Sequence, residues 1–203
     1  MKIICIGRNY SDHIEELANT RPSHPVVFLK PDSSIIPKNQ NFIIPAFSDE
    51  IHHEVELVVK INKVGKHIDE SFSNKYYNEI GLGIDFTARD IQNTLKQKGH
   101  PWEKSKAFDN SCLVGDFISV DKFKDLSKLD FSLKKNNQLV QSGNSSNMLW
   151  KIDELISYVS QYFTLKIGDL IFTGTPAGVS KVISQDILEG YIDSTKMFSL
   201  KIK

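Results

Sequence analysis

The sequence predicts an α+β domain that is rich in β-strands and has few helices. Short β-prone apolar runs bounded by Gly, Pro or polar residues recur along the whole chain. Helical periodicity is confined to three stretches at irregular places, so the regular strand–helix alternation of parallel α/β proteins is not indicated. The 203 residues are enough for one sizeable hydrophobic core. We therefore expect a single domain over residues 1–203.

The individual elements follow from these patterns. The runs predicted as strands are Lys2–Ile6, Pro25–Leu29, Ile51–Ile61, Ile80–Ile84, Leu113–Val120, Phe131–Lys135, Leu170–Phe172 and Met197–Lys201. Asn136-Asn137-Gln138 predicts a hairpin turn. The predicted helices are Asp12–Leu17, Ala88–Lys98 and Ile152–Phe163, the last with its apolar residues on one stripe.

The overall composition excludes several classes of function. Lys plus Arg equals Asp plus Glu, so a net charge of zero gives no general attraction to nucleic acid or to an anionic membrane. No apolar run approaches the ~18 residues of a membrane-spanning helix. The two cysteines, Cys5 and Cys112, form neither a disulfide framework nor a CxxC pair. The N-terminal segment turns polar at Arg8, too early for a signal peptide. We expect a cytoplasmic protein.

Two glutamates stand out in the stretch "IHHEVELVVK". Because side chains alternate along a strand, Glu54 and Glu56 are predicted on one face, with Val55 and Leu57 on the core-facing side. Two ionised carboxylates so close repel each other, and burial increases the repulsion. Solvent exposure on an edge strand, flanking lysines or a bound divalent cation would relieve it, and the spacing fits each of these. Oxygen-only ligands would favour Mg²⁺, Mn²⁺ or Ca²⁺ over zinc.

A third carboxylate lies in "GLGIDFTARD". Asp85 ends an apolar strand immediately before a predicted helix, a place where ligands often bind. Arg89 and Gln92 lie three residues apart on that helix, so they share a face and could hold an anionic group. Asp85 could instead cap the helix, and Arg89 could instead pair with a nearby acidic side chain.

Two further motifs offer groups for binding and proton transfer. "TGTPAGV", which contains Thr175, is a tight turn whose free N–H groups and hydroxyls could bind a carboxylate, or it could simply be a turn. His13 and Glu16 have helical i, i+3 spacing, and a carboxylate beside an imidazole raises its basicity and orients it. A pair of this kind can also lie on the surface without a function.

Together these motifs resemble the fumarylacetoacetate hydrolase family, most of all its small acylpyruvate hydrolase and oxaloacetate decarboxylase members. The matching segments occur in the family's order over almost the whole chain: "IGRNYSDHIEE", "PVVFLKP", "HHEVELVV", "GIDFTARDIQ", "KGHPWEKSKAFDNSCLVG", "SGNSSNM" and "ISYVSQYFTLKIGDLIFTGTPAGV". The resemblance implies the family's mixed β-roll with few helices. It also implies a homodimer that acts on a small-molecule 2-oxo acid.

The resemblance further implies a site. Glu54, Glu56 and Asp85 would hold Mg²⁺ or Mn²⁺, with Ca²⁺ a further possibility. His13 and Glu16 would form a catalytic pair on a lid helix, and Lys106 would lie in the active site. Substrate contacts would come from Arg89, Gln92 and Thr175, with Lys30 a weaker candidate.

The implied activity is metal-dependent C–C bond hydrolysis or lysis of 2-oxo acids through a metal-stabilised enolate. The substrates would be acylpyruvates, oxaloacetate or both. One alternative is an isomerase or decarboxylase of the 2-hydroxyhepta-2,4-diene-1,7-dioate type in aromatic catabolism. Another is a non-catalytic metal-binding relative. Binding to nucleic acid has no basic face or aromatic platform to support it.

Overall fold

A computed structural model describes the whole chain, residues 1–203. It contains thirteen strands and four α-helices, so the predicted strand-rich α+β class is confirmed. The strands are β1 Ile3–Gly7, β2 Val26–Lys30, β3 Ile51–His53, β4 Val55–Ile61, β5 Tyr77–Asp85, β6 Thr87–Ala88, β7 Cys112–Ser119, β8 Asp130–Lys135, β9 Gln138–Asn144, β10 Leu170–Phe172, β11 Ser180–Lys181, β12 Ile187–Ile192 and β13 Thr195–Lys201. The helices are α1 Ser11–Glu16, α2 Arg89–Gln97, α3 Glu103–Lys106 and α4 Ile152–Tyr162. None of the helices combines the length and the apolar character needed to cross a membrane.

The strands form three sheets. A six-stranded sheet has the order β2-β1-β10-β4-β5-β7, and within it only β1 and β10 run parallel. A four-stranded antiparallel sheet has the order β13-β12-β8-β9. A small sheet has the order β11-β3-β6, and its strands β3 and β6 are next in sequence to β4 and β5 of the six-stranded sheet. The predicted turn between β8 and β9 is present, and both Asn136 and Asn137 have the positive φ angles that this kind of tight hairpin requires.

The six-stranded sheet is covered on both faces. One face contributes to the main core of 34 buried residues, for example through Ile4 and Leu57. The opposite face contributes Cys5, Val58 and Phe172 to a smaller cluster of six. A polar side chain within either cluster is therefore surrounded by protein atoms, whereas Lys60 and Glu79 at the strand ends reach solvent.

The structure differs from the predicted secondary structure in three places. The run Ile51–Ile61 is not one strand: it breaks at Glu54, so that β3 joins the small sheet and β4 the six-stranded sheet. The segment Ile187–Ile192 is a strand that was not predicted, because Glu189 and Gly190 interrupt its apolar run. The short helix α3 was also missed, since four residues show no helical periodicity.

Candidate active site

Three carboxylates meet where β4 and β5 lie side by side. Glu54 precedes β4, Glu56 lies on it, and Asp85 ends β5. The antiparallel register pairs Glu56 with Gly83, and the Asp85 N–H donates to the Glu54 carbonyl oxygen at 2.9 Å. One ligand oxygen from each carboxylate lies within 4.8 Å of the other two, and all three residues are buried. The structure thus brings together the three carboxylates that the sequence singled out.

Two of these carboxylates have cationic partners. The Lys106 Nζ atom lies 2.7 Å from Glu54 Oε2 and 2.7 Å from Asp85 Oδ2, and it donates to the Thr87 hydroxyl at 2.6 Å. The Arg89 guanidinium forms an ion pair with Glu54. Burial alone would raise the pKa of Glu54, but the Lys106 and Arg89 cations hold this pKa well below its usual range. Glu54 is therefore an anion at neutral pH.

Glu56 differs, because it forms no ion pair with a side chain. Its carboxylate accepts one hydrogen bond, from the Gly174 N–H at 2.6 Å. Burial and the negative charges of Asp85 and Glu54 raise the pKa of Glu56 well above its usual value. A divalent cation among these three carboxylates would supply the missing positive charge. A donor set made only of oxygen atoms suits Mg²⁺, Mn²⁺ or Ca²⁺, so the residues fit the expected metal.

A single pocket opens beside the carboxylates. Eight of the ten predicted site residues line it: His13, Glu54, Glu56, Asp85, Arg89, Gln92, Lys106 and Thr175. The Arg89 Nη1 atom donates to Gln92 Oε1 at 2.6 Å, which fixes the two side chains relative to each other. Thr175 accepts a hydrogen bond from Gln141 Nε2 at 2.8 Å.

Lys30 lies behind the wall of this pocket. Its side chain has no solvent exposure, and its Nζ atom lies 2.7 Å from Asp85 Oδ1. The same ammonium donates to the carbonyl oxygen and the hydroxyl of Ser111 at 3.1 and 3.0 Å. This placement neutralises Asp85 from the side opposite the pocket. Lys30 does not line the pocket, and its contact with a substrate stays a prediction.

His13 and Glu16 form the expected pair on α1. The His13 Nδ1 and Glu16 Oε2 atoms are 3.1 Å apart, and the other Glu16 oxygen accepts from the Gly178 N–H at 2.9 Å. His13 is only 6% exposed, so this is not the surface pair that the sequence also allowed. Burial lowers the pKa of His13, against the opposing effects of Glu54 and Glu16. The imidazole is therefore neutral at pH 7. It can accept a proton at the ring nitrogen that faces away from Glu16.

Sequence reasoning missed two groups of residues around the pocket. Arg8, Lys96 and Trp102 line it together with the predicted set. For Lys96 a signal existed: it follows Arg89 by seven residues, two helical turns, and so lies on the same face of α2. The second group lies behind Thr175 and is centred on Gln141.

Gln141 is 1% exposed and connects several elements of the site. Besides its bond to Thr175, its Oε1 atom accepts from the Val55 N–H at 3.0 Å and lies 2.9 Å from His53 Nδ1. The other His53 nitrogen lies 2.8 Å from the Ser180 hydroxyl. No sequence signal pointed to this network, because its members come from four separate segments.

Comparison with known proteins finds one family over nearly the whole chain. The family model described as the fumarylacetoacetate (FAA) hydrolase C-terminal domain matches residues 2–199. The mouse mitochondrial oxaloacetate tautomerase FAHD1 is 42% identical over 201 residues, 99% of this chain and 91% of the relative. The oxaloacetate tautomerase YcgM of Escherichia coli is 41% identical over 92% of this chain and 86% of its own. A mitochondrial oxaloacetate decarboxylase of Dictyostelium discoideum is 43% identical over 89% and 84%.

Solved structures show the same fold. A fumarylacetoacetate hydrolase family protein from Yersinia pestis superimposes with a TM-score of 0.95 at 38% identity, covering 100% of this chain and 93% of that one. The fumarylpyruvate hydrolase of Pseudomonas aeruginosa, solved with Mn²⁺ and pyruvate, gives 0.93 at 30% identity over 100% and 89%. The family suggested by the sequence motifs is confirmed, and so is its fold: this chain belongs to the fumarylacetoacetate hydrolase family and has the fold of that family's C-terminal domain.

Proposed function

We propose that this chain is a divalent-metal-dependent enzyme of 2-oxo acids and that its main reaction is the keto–enol tautomerisation of oxaloacetate. The observation that carries the proposal is the buried cluster Glu54, Glu56 and Asp85, in which Glu56 has no cationic partner, at the wall of a pocket that also holds His13, Arg89 and Lys106. Several relatives that match nearly the whole chain are oxaloacetate tautomerases, which supports this substrate.

The three carboxylates would hold Mg²⁺ or Mn²⁺. A bound cation of this kind is a Lewis acid that polarises a keto oxygen and stabilises the negative charge of an enolate. Mn²⁺ together with pyruvate, the simplest 2-oxo acid, is present in the related fumarylpyruvate hydrolase structure. That pairing supports both the class of cation and the class of substrate proposed for this chain.

The chain's own residues would supply the remaining chemistry. Neutral His13, oriented by Glu16, would take a proton from C3 of the keto form, and its imidazolium would deliver that proton to the C2 oxygen to give the enol; in the reverse direction His13 would take the enol proton and return it to C3. The Arg89 and Lys106 cations would balance the negative charge of the substrate, and one such electrostatic contact is typically worth ~3 kcal/mol in the transition state. Gln92 and Thr175 would orient the substrate through their polar side chains.

A second candidate is C–C bond cleavage, and the pairing of the buried His13 with Glu16 is the observation that favours it. In acylpyruvate hydrolysis His13 would take a proton from water, whose oxygen attacks the carbonyl distal to the carboxylate. The C–C bond then breaks to give a carboxylic acid and pyruvate enolate, which is protonated at C3. Decarboxylation of oxaloacetate gives the same enolate as CO₂ leaves, without water. The oxaloacetate decarboxylase and fumarylpyruvate hydrolase among the relatives belong to these two types.

The alternative function, an isomerase of the 2-hydroxyhepta-2,4-diene-1,7-dioate type, has weaker support. A 5-carboxymethyl-2-hydroxymuconate delta-isomerase from Mycobacterium smegmatis superimposes with a TM-score of 0.86 at 31% identity. This chain covers 78% of that protein, less than it covers of the oxaloacetate enzymes. The homodimer and the cytoplasmic location stay predictions.

The test is a set of three assays on the wild-type protein, each with Mg²⁺ and with EDTA. They follow the interconversion of enol and keto oxaloacetate by ultraviolet absorbance, the loss of oxaloacetate, and the loss of acetylpyruvate. We expect metal-dependent tautomerisation that a Glu54→Ala/Glu56→Ala variant lacks and that a Glu70→Ala/Glu79→Ala variant, changed outside the pocket, retains. Activity that survives EDTA, or a fully metal-loaded protein without tautomerisation, would overturn the proposal.

His13→Ala separates the reactions that need a base, tautomerisation and hydrolysis, from decarboxylation. Hydrolysis of acetylpyruvate needs a base for water, so we expect it to fall by about 10²–10⁴-fold, and tautomerisation should fall with it. Decarboxylation of oxaloacetate needs no such base and should be largely retained. Equal loss of all three activities with Mg²⁺ binding intact would contradict this division of roles.

A further inference from the structure

The pocket contains two cations that the carboxylate cluster does not use. Arg8 directly follows β1, and Lys96 lies on α2 two turns beyond Arg89. Both line the same pocket as the three carboxylates. Neither forms an ion pair with any acidic side chain, whereas Arg89 and Lys106 both do.

Neutral groups hold these two cations in place. The Lys96 Nζ atom donates to Asn19 Oδ1 at 2.7 Å, and Arg8 Nη1 lies 3.4 Å from the Thr20 carbonyl oxygen. Both acceptors belong to the segment that follows α1. Burial lowers the pKa of Lys96, and the cations Arg8 and Arg89 lower it further. Positive charge is thus concentrated at this end of the pocket without a matching anion.

The charges of the whole pocket favour a dianionic ligand. Its lining carries four cationic side chains, Arg8, Arg89, Lys96 and Lys106, against the three carboxylates. A divalent cation on the carboxylates would increase the positive excess further. A 2-oxo monocarboxylate brings one negative charge, and its carboxylate lies next to the keto group. A 2-oxo dicarboxylate brings a second charge at its far end, where it can reach cations that the metal end does not use.

We propose that Arg8 and Lys96 bind the distal carboxylate of the substrate and so make the site selective for 2-oxo dicarboxylates over 2-oxo monocarboxylates. This inference rests on the proposed function, because it assigns the substrate class of the same site. It names two specificity residues that lie outside the metal cluster and outside the His13–Glu16 pair. Arg8 comes from the end of β1 and Lys96 from the second half of α2, so the distal subsite forms only when the two elements are folded together.

The test compares a dicarboxylate with a monocarboxylate in Arg8→Gln, Lys96→Met and the double variant, all loaded with Mg²⁺. We expect the KM for oxaloacetate to rise about tenfold or more in each single variant, because a charge-assisted contact is lost. The inhibition constant of pyruvate, which has no distal carboxylate, should change less than twofold. The charge-retaining variants Arg8→Lys and Lys96→Arg should recover most of the affinity for oxaloacetate. Arg21→Gln and Lys98→Met, which change exposed cations outside the pocket, serve as matched controls.

Two results would overturn this inference. An equal loss of affinity for oxaloacetate and pyruvate would mean that Arg8 and Lys96 contact the part of the ligand that lies at the metal. Unchanged affinity for both ligands would mean that the two residues take no part in binding. A wild-type protein without turnover would contradict the proposed function instead. Calorimetric titration of Mg²⁺-loaded protein with oxaloacetate and with pyruvate would then test the inference separately. A preference for oxaloacetate that the double variant loses would support the inference. Equal binding of both ligands to the wild-type protein would overturn it.

Discussion

The six-stranded and the four-stranded sheets bury different kinds of side chain. Along β8, β9, β12 and β13 no charged residue is buried; Lys134, Glu189 and Lys196 all lie toward solvent. The six-stranded sheet buries Lys30, Glu56 and Asp85 within its strands. Because a buried charge is costly unless it is compensated, charges persist inside a sheet only where partners or a bound ion neutralise them.

This contrast separates the parts of the chain in which packing determines the residue types from the parts in which the active site determines them. The four-stranded sheet has one buried face, so its strands alternate between buried apolar and exposed polar residues. The six-stranded sheet has two apolar faces, and its buried charged residues lie at one pocket or, in the case of Lys30, contact a pocket carboxylate. Substitutions in the first sheet should therefore change stability, and substitutions at the buried charged positions of the second should change activity.

The largest effect on stability is expected for Leu188→Ala in the four-stranded sheet. Leu188 has no solvent exposure, so truncation leaves a cavity that should lower the free energy of unfolding by about 2–5 kcal/mol. The neighbouring Ile187 is 45% exposed, and Ile187→Ala should have a much smaller effect. Urea denaturation measures both values. A kcat that falls in the folded Leu188→Ala protein would break the proposed separation of roles.

Lys106→Met tests the opposite case, at the carboxylates carried by the six-stranded sheet. The variant removes the cation that contacts both Glu54 and Asp85, and kcat/KM for oxaloacetate should fall about 10²–10³-fold. Lys104→Met changes an exposed lysine on the same short helix and should leave kcat/KM unchanged. Steady-state kinetics at saturating Mg²⁺ makes the comparison. Wild-type activity in Lys106→Met would show that this cation has no part in catalysis.

Gln141→Leu addresses a polar link from the four-stranded sheet to the site. The change leaves the buried Val55 N–H without its acceptor and Thr175 without its donor, which should cost about 1–3 kcal/mol in the free energy of unfolding. If Gln141 positions Thr175, KM should also rise while the bound metal content stays the same. Loss of stability with unchanged kinetics would assign Gln141 to packing alone.

The smallest expected effect is a shift in the pH dependence. Burial lowers the pKa of His13 from its ordinary value of 6.5, and the base form is the neutral one, so activity should persist below pH 6.5 before His13 is protonated. The hydrogen bond that His13 donates to Glu16 opposes this lowering of the pKa. Glu16→Gln should therefore move the acid limb of the hydrolysis rate to still lower pH, besides reducing the rate. The rate is measured at saturating metal, and a limb that moves to higher pH would contradict this account.

Much of the candidate site could be predicted because its polar and charged residues lie in pairs within short segments of the sequence. Glu54 and Glu56 are neighbours in one strand-forming run, and Arg89 and Gln92 share a helix face, so local pattern alone placed each pair. The break at Glu54 could not be predicted. It arises because the chain leaves one sheet for another at that residue, and β propensity is the same on both sides.

By itself, the sequence determined the strand-rich class, the family and the carboxylates that could hold a metal, because each of these depends on residue type and on spacing along a short stretch. Only the tertiary structure decided how the charges are compensated. Lys106 reaches Glu54 across 52 residues, Lys30 reaches Asp85 from the opposite side, Glu56 is left without a cation, and Arg8 and Lys96 come to one end of the pocket. Such contacts depend on sheet register and on which faces are covered. Both properties are set by packing between distant segments, and no local pattern encodes them.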